Sequence, residues 1–260
     1  MRTHRPLALA TALFVSVIPP LVARAADCPS DRDKLEKALK SAVKPSGGPS
    51  NGGFDNNEWA ALVTRDGAVC AIAFSGNEPD EQWPGSRAIA VEKANTANAF
   101  SLKGFALSTA NLYAGVQPHD GSLYGTAETN PPNPALLYAG DPSKFGSASD
   151  PLLGQRPGGA VAFGGGLALY DGNNVVGALG VSGDTSCADH NVAWRVRQAL
   201  GLDKVPAGPG PDHNDEIIYD VTPGMPSPSG FGHPQCKGSE AEVAQQIHAG
   251  FMPRWAQAAK

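Results

Sequence analysis

The stretch VVGALGVSGDTSCADH, Val175 to His190, sets Ser182, Asp184, Cys187, Asp189 and His190 close together. Three chemistries use such residues: a nucleophile with its base, a metal nest, or no chemistry at all where a strand runs into a helix. A nucleophile elbow needs G-x-S-x-G on a strand-to-helix turn. Gly180-Val181-Ser182-Gly183-Asp184 lacks the second glycine and follows a hairpin pattern. Ser182 and Gly183 therefore read as the end of a strand. Asp184, Thr185 or Ser186 can cap the helix that follows. Asp189 falls in that helix's first turn, where a carboxylate suits the helix dipole. His190 beside it keeps a claim on ligand chemistry.

Two other stretches carry candidate ligand groups. Gly164-Gly165-Gly166 is no P-loop, because no Gly-Lys-Ser/Thr follows it. Glycines inside a strand more often mark a bulge or a close approach to the backbone. The segment RAIAVEKANTANAFSL has small residues Ala94, Thr96 and Ala97 that let a helix approach its neighbour, with Lys93 as an anion partner in a pocket wall. The plain alternative is a tightly packed core helix with a solvated back. His119, His190, His213, His233 and His248 form no HxH, HxxxH or HExxH spacing, which gives a dedicated metal site little support. A single histidine can still ligate haem iron, since the porphyrin supplies four ligands. DHNDE, Asp212 to Glu216, reads as a solvated turn.

The elements that must position these groups follow from periodicity. Ser30 opens a helix carrying Leu35, Ala38, Leu39, Ala42 and Val43, which Pro45 stops. EWAALVTRDGAVCAIAFS is a hairpin turned at Asp66-Gly67. Pro84 and Ser86 open a second helix, with Ile89, Ala90, Ala94, Ala97 and Phe100 on one face. Leu102 to Pro157 is mostly loop, with a short helix near Leu107 to Tyr113; a loop this long is usually a wall of a site. A second hairpin turns at Asp171 to Asn174. The next helix buries Ala188, Val192, Val196, Ala199 and Leu200, and Ser239-Glu242 is a capping box for a last one. Hairpins are antiparallel, so the expected class is α+β, an antiparallel sheet with helices packed on it.

Residues 1–26 read as an export signal: Arg2 and Arg5, an apolar run to Val22, then Ala23-Arg24-Ala25. Removing it takes three arginines and shifts the formal charge from −5 to −8. An acidic chain without a basic run excludes nucleic-acid binding, and nothing after the signal could span a bilayer. The expected place is the periplasm or the exterior. Cys28, Cys70, Cys187 and Cys236 contain no CxxC, and an even count in an oxidising compartment suggests two disulfides. Three connectivities exist, and two free buried thiols are a further alternative. We expect Cys28–Cys70, tying a helix start to a strand, and Cys187–Cys236, pinning the tail.

KANTANAF after a D-G hairpin, followed by GGGLALYDGNNVVGALGVSGDTSCADHNVAW, resembles the GlcG/HbpS family of haem-binding-type domains. Lys93-Ala94, Thr96-Ala97, Gly165-Gly166, Asp171-Gly172, Gly177 to Gly183 and Asp189 match its pattern over roughly Leu35 to Leu200. Ala168 stands where the family favours proline, the Phe100–Pro157 loop is long, and the cysteine-bearing tail is extra. The resemblance implies an antiparallel five-stranded sheet flanked by helices in a profilin- or PAS-like arrangement. It also implies a homo-oligomer and haem or another small-molecule ligand. It divides the chain into a signal (1–26), a family domain (27–203) and a Pro/Gly-rich extension (204–260) packed on the same domain. The family has no settled catalytic set to carry over. Lys93, Thr96, Gly165, Gly166, Asp189 and His190 are expected around the ligand, with His190 as haem axial ligand. The leading reading is an exported haem-binding protein that scavenges or senses, without robust turnover. Its rivals are an enzyme of oxidative haem degradation or small 2-hydroxy-acid chemistry, and a structural or partner-binding module.

Overall fold

The computed structural model describes residues 27–118 and 121–248. The expected signal segment and His119 lie outside them. Helix α1 (Arg32–Ala42) is capped by Asp31 rather than Ser30, the Asp31 carboxylate accepting the Lys34 N–H at 2.8 Å. Its buried stripe is Leu35, Ala38, Leu39 and Ala42. Strands β1 (Trp59–Thr64) and β2 (Val69–Phe74) form the first hairpin, and β3 (Gly166–Asp171) and β4 (Asn174–Ser182) the second. Helix α2 (Ser86–Phe100) lies between them in sequence. The long connection holds two single-turn helices, α3 (Thr126–Thr129) and α4 (Pro134–Leu137), and tight turns at Ala110–Leu112 and Ala114–Val116 near the expected short helix. Helices α5 (Ser186–Ala199) and α6 (Glu240–His248) follow.

The two hairpins join in one antiparallel sheet of order β2-β1-β4-β3, with Trp59 opposite Ser182 and Thr64 opposite Gly177. The sheet has four strands among the described residues, not the five implied by the resemblance. Beyond β3 the described residues make isolated bonds, the Tyr170 N–H to the Leu202 carbonyl with a bridge to Asp203, and the Thr109 N–H to the Gly166 carbonyl. Pro206, Pro209 and Pro211 lack the N–H groups a further ladder would need. Beyond β2, residues Gly154 and Gln155 bond Val69 in the same isolated way.

Both sheet faces are covered, because alternate residues on each strand are apolar. One face packs Ala60, Leu62, Leu167, Leu179 and Val181 against Leu35 and Leu39 of α1 and Val192 and Val196 of α5. The other packs Trp59, Ala61, Val63 and Ala178 against α2. The buried residues of α2 include Ala88, Ala90, Val91, Ala94 and Ala97, while the expected Ile89 and Phe100 are half-buried. Ala199, expected inside, is exposed at the end of α5. Small residues let α2 sit unusually near β4: a Cβ on Gly180 would lie 1.9 Å from the Ala90 carbonyl oxygen. That approach carries the α2 backbone over the end of β4, where Lys93 meets the start of α5.

Arg87 fastens the long loop to α2. Its guanidinium pairs with the buried Asp150, donates to the Leu137 carbonyl at 2.8 Å and stacks on Phe145. The tail is fastened by Arg197, which grips Asp215 through two bonds of 2.7 and 2.8 Å. Asp212 and His213 of DHNDE are exposed as expected of a solvated turn, but Asp215 is fully buried and neutralises a guanidinium that α5 would otherwise bury alone. Both expected disulfides are present, Cys28–Cys70 and Cys187–Cys236. Ser239, expected in a capping box, gives its N–H to the Gly52 carbonyl. Among the described residues no helix is long and apolar enough to cross a membrane.

Candidate functional site

The site forms where α2, the end of β4 and the start of α5 converge. Thr185 caps α5, its side chain accepting the Ala188 N–H. With that cap in place, Asp189 turns back to the strand end and accepts the N–H groups of Gly183 (3.1 Å) and Asp184 (2.8 Å) through Oδ1. Its Oδ2 lies 2.6 Å from Lys93 Nζ, and Nζ also donates to the Val181 carbonyl at 3.1 Å. Lys93 thus points into the protein, with its charge answered by Asp189. Burial pushes the Asp189 carboxyl up, to about 6, against the pull of Lys93.

Glu58, just before β1, is buried beside this pair with Oε2 unpartnered, and it was missed in sequence. Burial, then the charges of Asp189 and Asp184, push its carboxyl well up. A single glutamate ahead of an apolar strand gives no sign of the company it will keep.

Gly164-Gly165-Gly166 lies over the ion pair, Gly164 and Gly165 leading into β3 and Gly166 opening it. Gly165 has φ +116°, and a Cβ there would sit 2.5 Å from the Val181 oxygen and 2.8 Å from Lys93 Nζ. Only glycine fits that backbone and that space. Gly166 is pinned by Thr109, whose Oγ1 accepts its N–H at 2.8 Å. Phe163, 40 % exposed, holds its ring 5.1 Å from Lys93 Nζ and forms the outer edge.

The structure brings Lys93, Gly165, Gly166 and Asp189 together. Thr96 faces elsewhere: its Oγ1 donates to Glu92 and accepts the Val161 N–H, and it lines a separate cleft of about 320 Å³ with Asn95, Phe100, Pro131 and Gly159. His190 lies under Gly164, where an added Cβ would come within 3.0 Å of the His190 Cβ. The imidazole is wholly buried and neither ring nitrogen has a partner. Burial, with His248 and Arg197 nearby, holds it well below the usual histidine range, so the ring is neutral.

His233 reaches the same place from the tail. Its Nδ1 is 2.7 Å from the Pro234 carbonyl oxygen, and its Nε2 is 3.4 Å from both the Gly164 N–H nitrogen and Ser186 Oγ. Burial lowers it to about 4. The Cys187–Cys236 disulfide holds this part of the tail against α5. Among the described residues no group of three or more His, Cys, Asp or Glu side chains could hold a metal ion by itself.

Residues 59–197, just over half of the chain, match the family described as "Haem degrading protein HbpS-like", and the chain belongs to that family. The match begins at β1 and ends within α5, leaving α1 and the tail with His233 outside it. Two solved structures are similar. Klebsiella pneumoniae protein ORFY, of family DUF336, is 22 % identical over 65 % of this chain and 86 % of that one, with a TM-score of 0.43. A PduOC:heme complex is 23 % identical over 64 % and 89 %, with a TM-score of 0.44. No curated protein matches the chain.

Proposed function

We propose that this is an exported protein that binds haem or a closely related small molecule, in the periplasm or outside the cell, where it scavenges or senses its ligand. Membership of the HbpS-like family carries the reading. Two disulfides suit a non-cytoplasmic setting. The donor chemistry also fits. His190 is a neutral imidazole with both nitrogens orphaned, the form that ligates iron. Bound haem would supply a redox-active iron.

The protein's own groups would do the rest. His190 would hold the haem iron through a ring nitrogen, and Gly164 to Gly166 would govern access to it. The Lys93–Asp189 pair would hold the glycine run in place, with Gly165 and Gly166 presenting backbone to the ligand. Thr96 would contribute from the neighbouring cleft. Assembly into a homo-oligomer, with residues 27–203 as the family domain and 204–260 packed on it, belongs to the same proposal.

Haemin titration of the purified protein tests this. A Soret shift saturating at a defined stoichiometry, altered in His190→Ala, supports it; no saturable shift sinks it. The family's description favours a second reading, that haem is degraded. Loss of the Soret band with iron release under reductant and peroxide, beyond a denatured-protein control, would establish turnover.

A further inference from the structure

Ser186 and His233 make a contact that the haem reading leaves unused. Ser186 is the first residue of α5 and half-buried, and its Oγ lies 3.4 Å from His233 Nε2. A carbonyl oxygen can only accept, so the 2.7 Å contact with Pro234 places the ring hydrogen on His233 Nδ1. Nε2 then turns its lone pair toward the Ser186 hydroxyl and the Gly164 N–H. A serine hydroxyl facing the free nitrogen of a histidine whose other nitrogen is held by an acceptor is the arrangement of an activated nucleophile. Such contacts are often long without substrate and shorten when it docks. Ser182, the serine set among glycines in sequence, has no such partner: it ends β4 and is buried. One turn along α5 from Ser186, the buried ring of His190 is a second polar group without a hydrogen-bond partner, its Cβ lying under Gly164.

We propose that Ser186 is a nucleophile, with His233 as its general base, toward carboxylic esters of short acyl groups. The size limit comes from the walls. Gly164, whose N–H faces the same His233 nitrogen, and Cys236 Sγ, 3.8 Å from Ser186 Oγ, stand close to the hydroxyl on two sides.

As Ser186 Oγ adds to the ester carbonyl, its proton passes to His233 Nε2. The carbon–oxygen bond to the alcohol then breaks, and the imidazolium returns that proton to the leaving oxygen. Water next adds to the acyl carbon while giving a proton to Nε2. The bond to Ser186 breaks, the proton returns to Oγ, and the carboxylic acid leaves. No further reactant is required. The first-turn N–H groups of Ser186 and Cys187 lie N-terminal to any intrahelical carbonyl partner. In the proposal they are the donors offered to a developing oxyanion.

The test is labelling of the purified, oxidised protein with a fluorophosphonate probe, alongside release of p-nitrophenol from p-nitrophenyl acetate. One adduct is expected, mapped by peptide mass to Ser186, absent in Ser186→Ala and roughly ten-fold or more slower to form in His233→Gln. With the base neutral, the labelling rate should stay flat from about pH 5.5 to about 9. Circular dichroism and intact disulfides verify that each variant is folded. Folded wild-type protein that stays unlabelled overturns the proposal. So does a label that survives Ser186→Ala, or a rate that climbs ten-fold per pH unit throughout. The probe needs no haem, so this result and the haemin titration fail independently.

Discussion

Lys93 Nζ on α2 lies 2.6 Å from Asp189 Oδ2 on α5, and neither side chain is more than 3 % exposed. Two helices on opposite faces of the sheet are thereby joined around the end of β4. Removing one member leaves the other charged and buried, at a cost of about 3–5 kcal/mol. Lys93→Met should lower the unfolding free energy read from urea melts by that amount. Replacing both residues with apolar ones should cost less than the single change. A double-mutant cycle in urea reads the difference.

Gly180→Ala should destabilise the fold by about 3 kcal/mol, since its Cβ would meet the Ala90 carbonyl at 1.9 Å and push α2 off the sheet. A thermal melt that matches the parent would show that α2 does not sit as described.

The buried histidines make the fold sensitive to acid. His233 falls from its ordinary 6.5 to about 4, so its folded form prefers the neutral ring. That stability is fully present above about pH 6.5 and is lost as pH falls toward about 4, amounting to about 3 kcal/mol at most. His190, held well below its ordinary value chiefly by burial, acts in the same direction. Asp189 and Glu58, both raised, act oppositely: their contribution is present at low pH and is lost as pH rises, through about 6 for Asp189. His233→Gln should therefore lose less stability than the parent between about pH 6.5 and 4.5. Urea melts at both pH values measure it.

The Cys187–Cys236 link closes a loop of 49 residues. The chain-entropy relation gives about 4 kcal/mol for such a loop. The double alanine variant should unfold at correspondingly lower urea. Limited proteolysis should cut first between residues 204 and 236, and a cleavage pattern identical to the parent's would contradict this.

The hairpins were legible because Asp66-Gly67 and Asp171-Gly172 are turn pairs flanked by apolar runs; the Cys pairing, one of three connectivities open in the sequence, is decided by the fold. The order of the two hairpins within one sheet, with β1 beside β4, depends on long-range pairing that no local pattern encodes. In the site, Lys93, Gly165, Gly166 and Asp189 were found together because they occupy recurring motifs. Glu58, Ser186 and His233 were not. Glu58 precedes β1, Ser186 opens α5 and His233 lies in the tail; each gains its neighbours only through the fold. Asp215 was misread for the same reason: a polar turn looks solvated until an arginine from another element is buried against it.

Arg197 is the last residue of the family match, and the Asp215 that neutralises it lies beyond that match. The boundary that similarity draws is therefore not one along which the molecule can be divided. A chain shortened to the shared region would retain an arginine inside with nothing to oppose its charge, and β3 would lose the neighbours that close its edge. Asp215 is therefore as much a part of the core's charge balance as Arg197 itself.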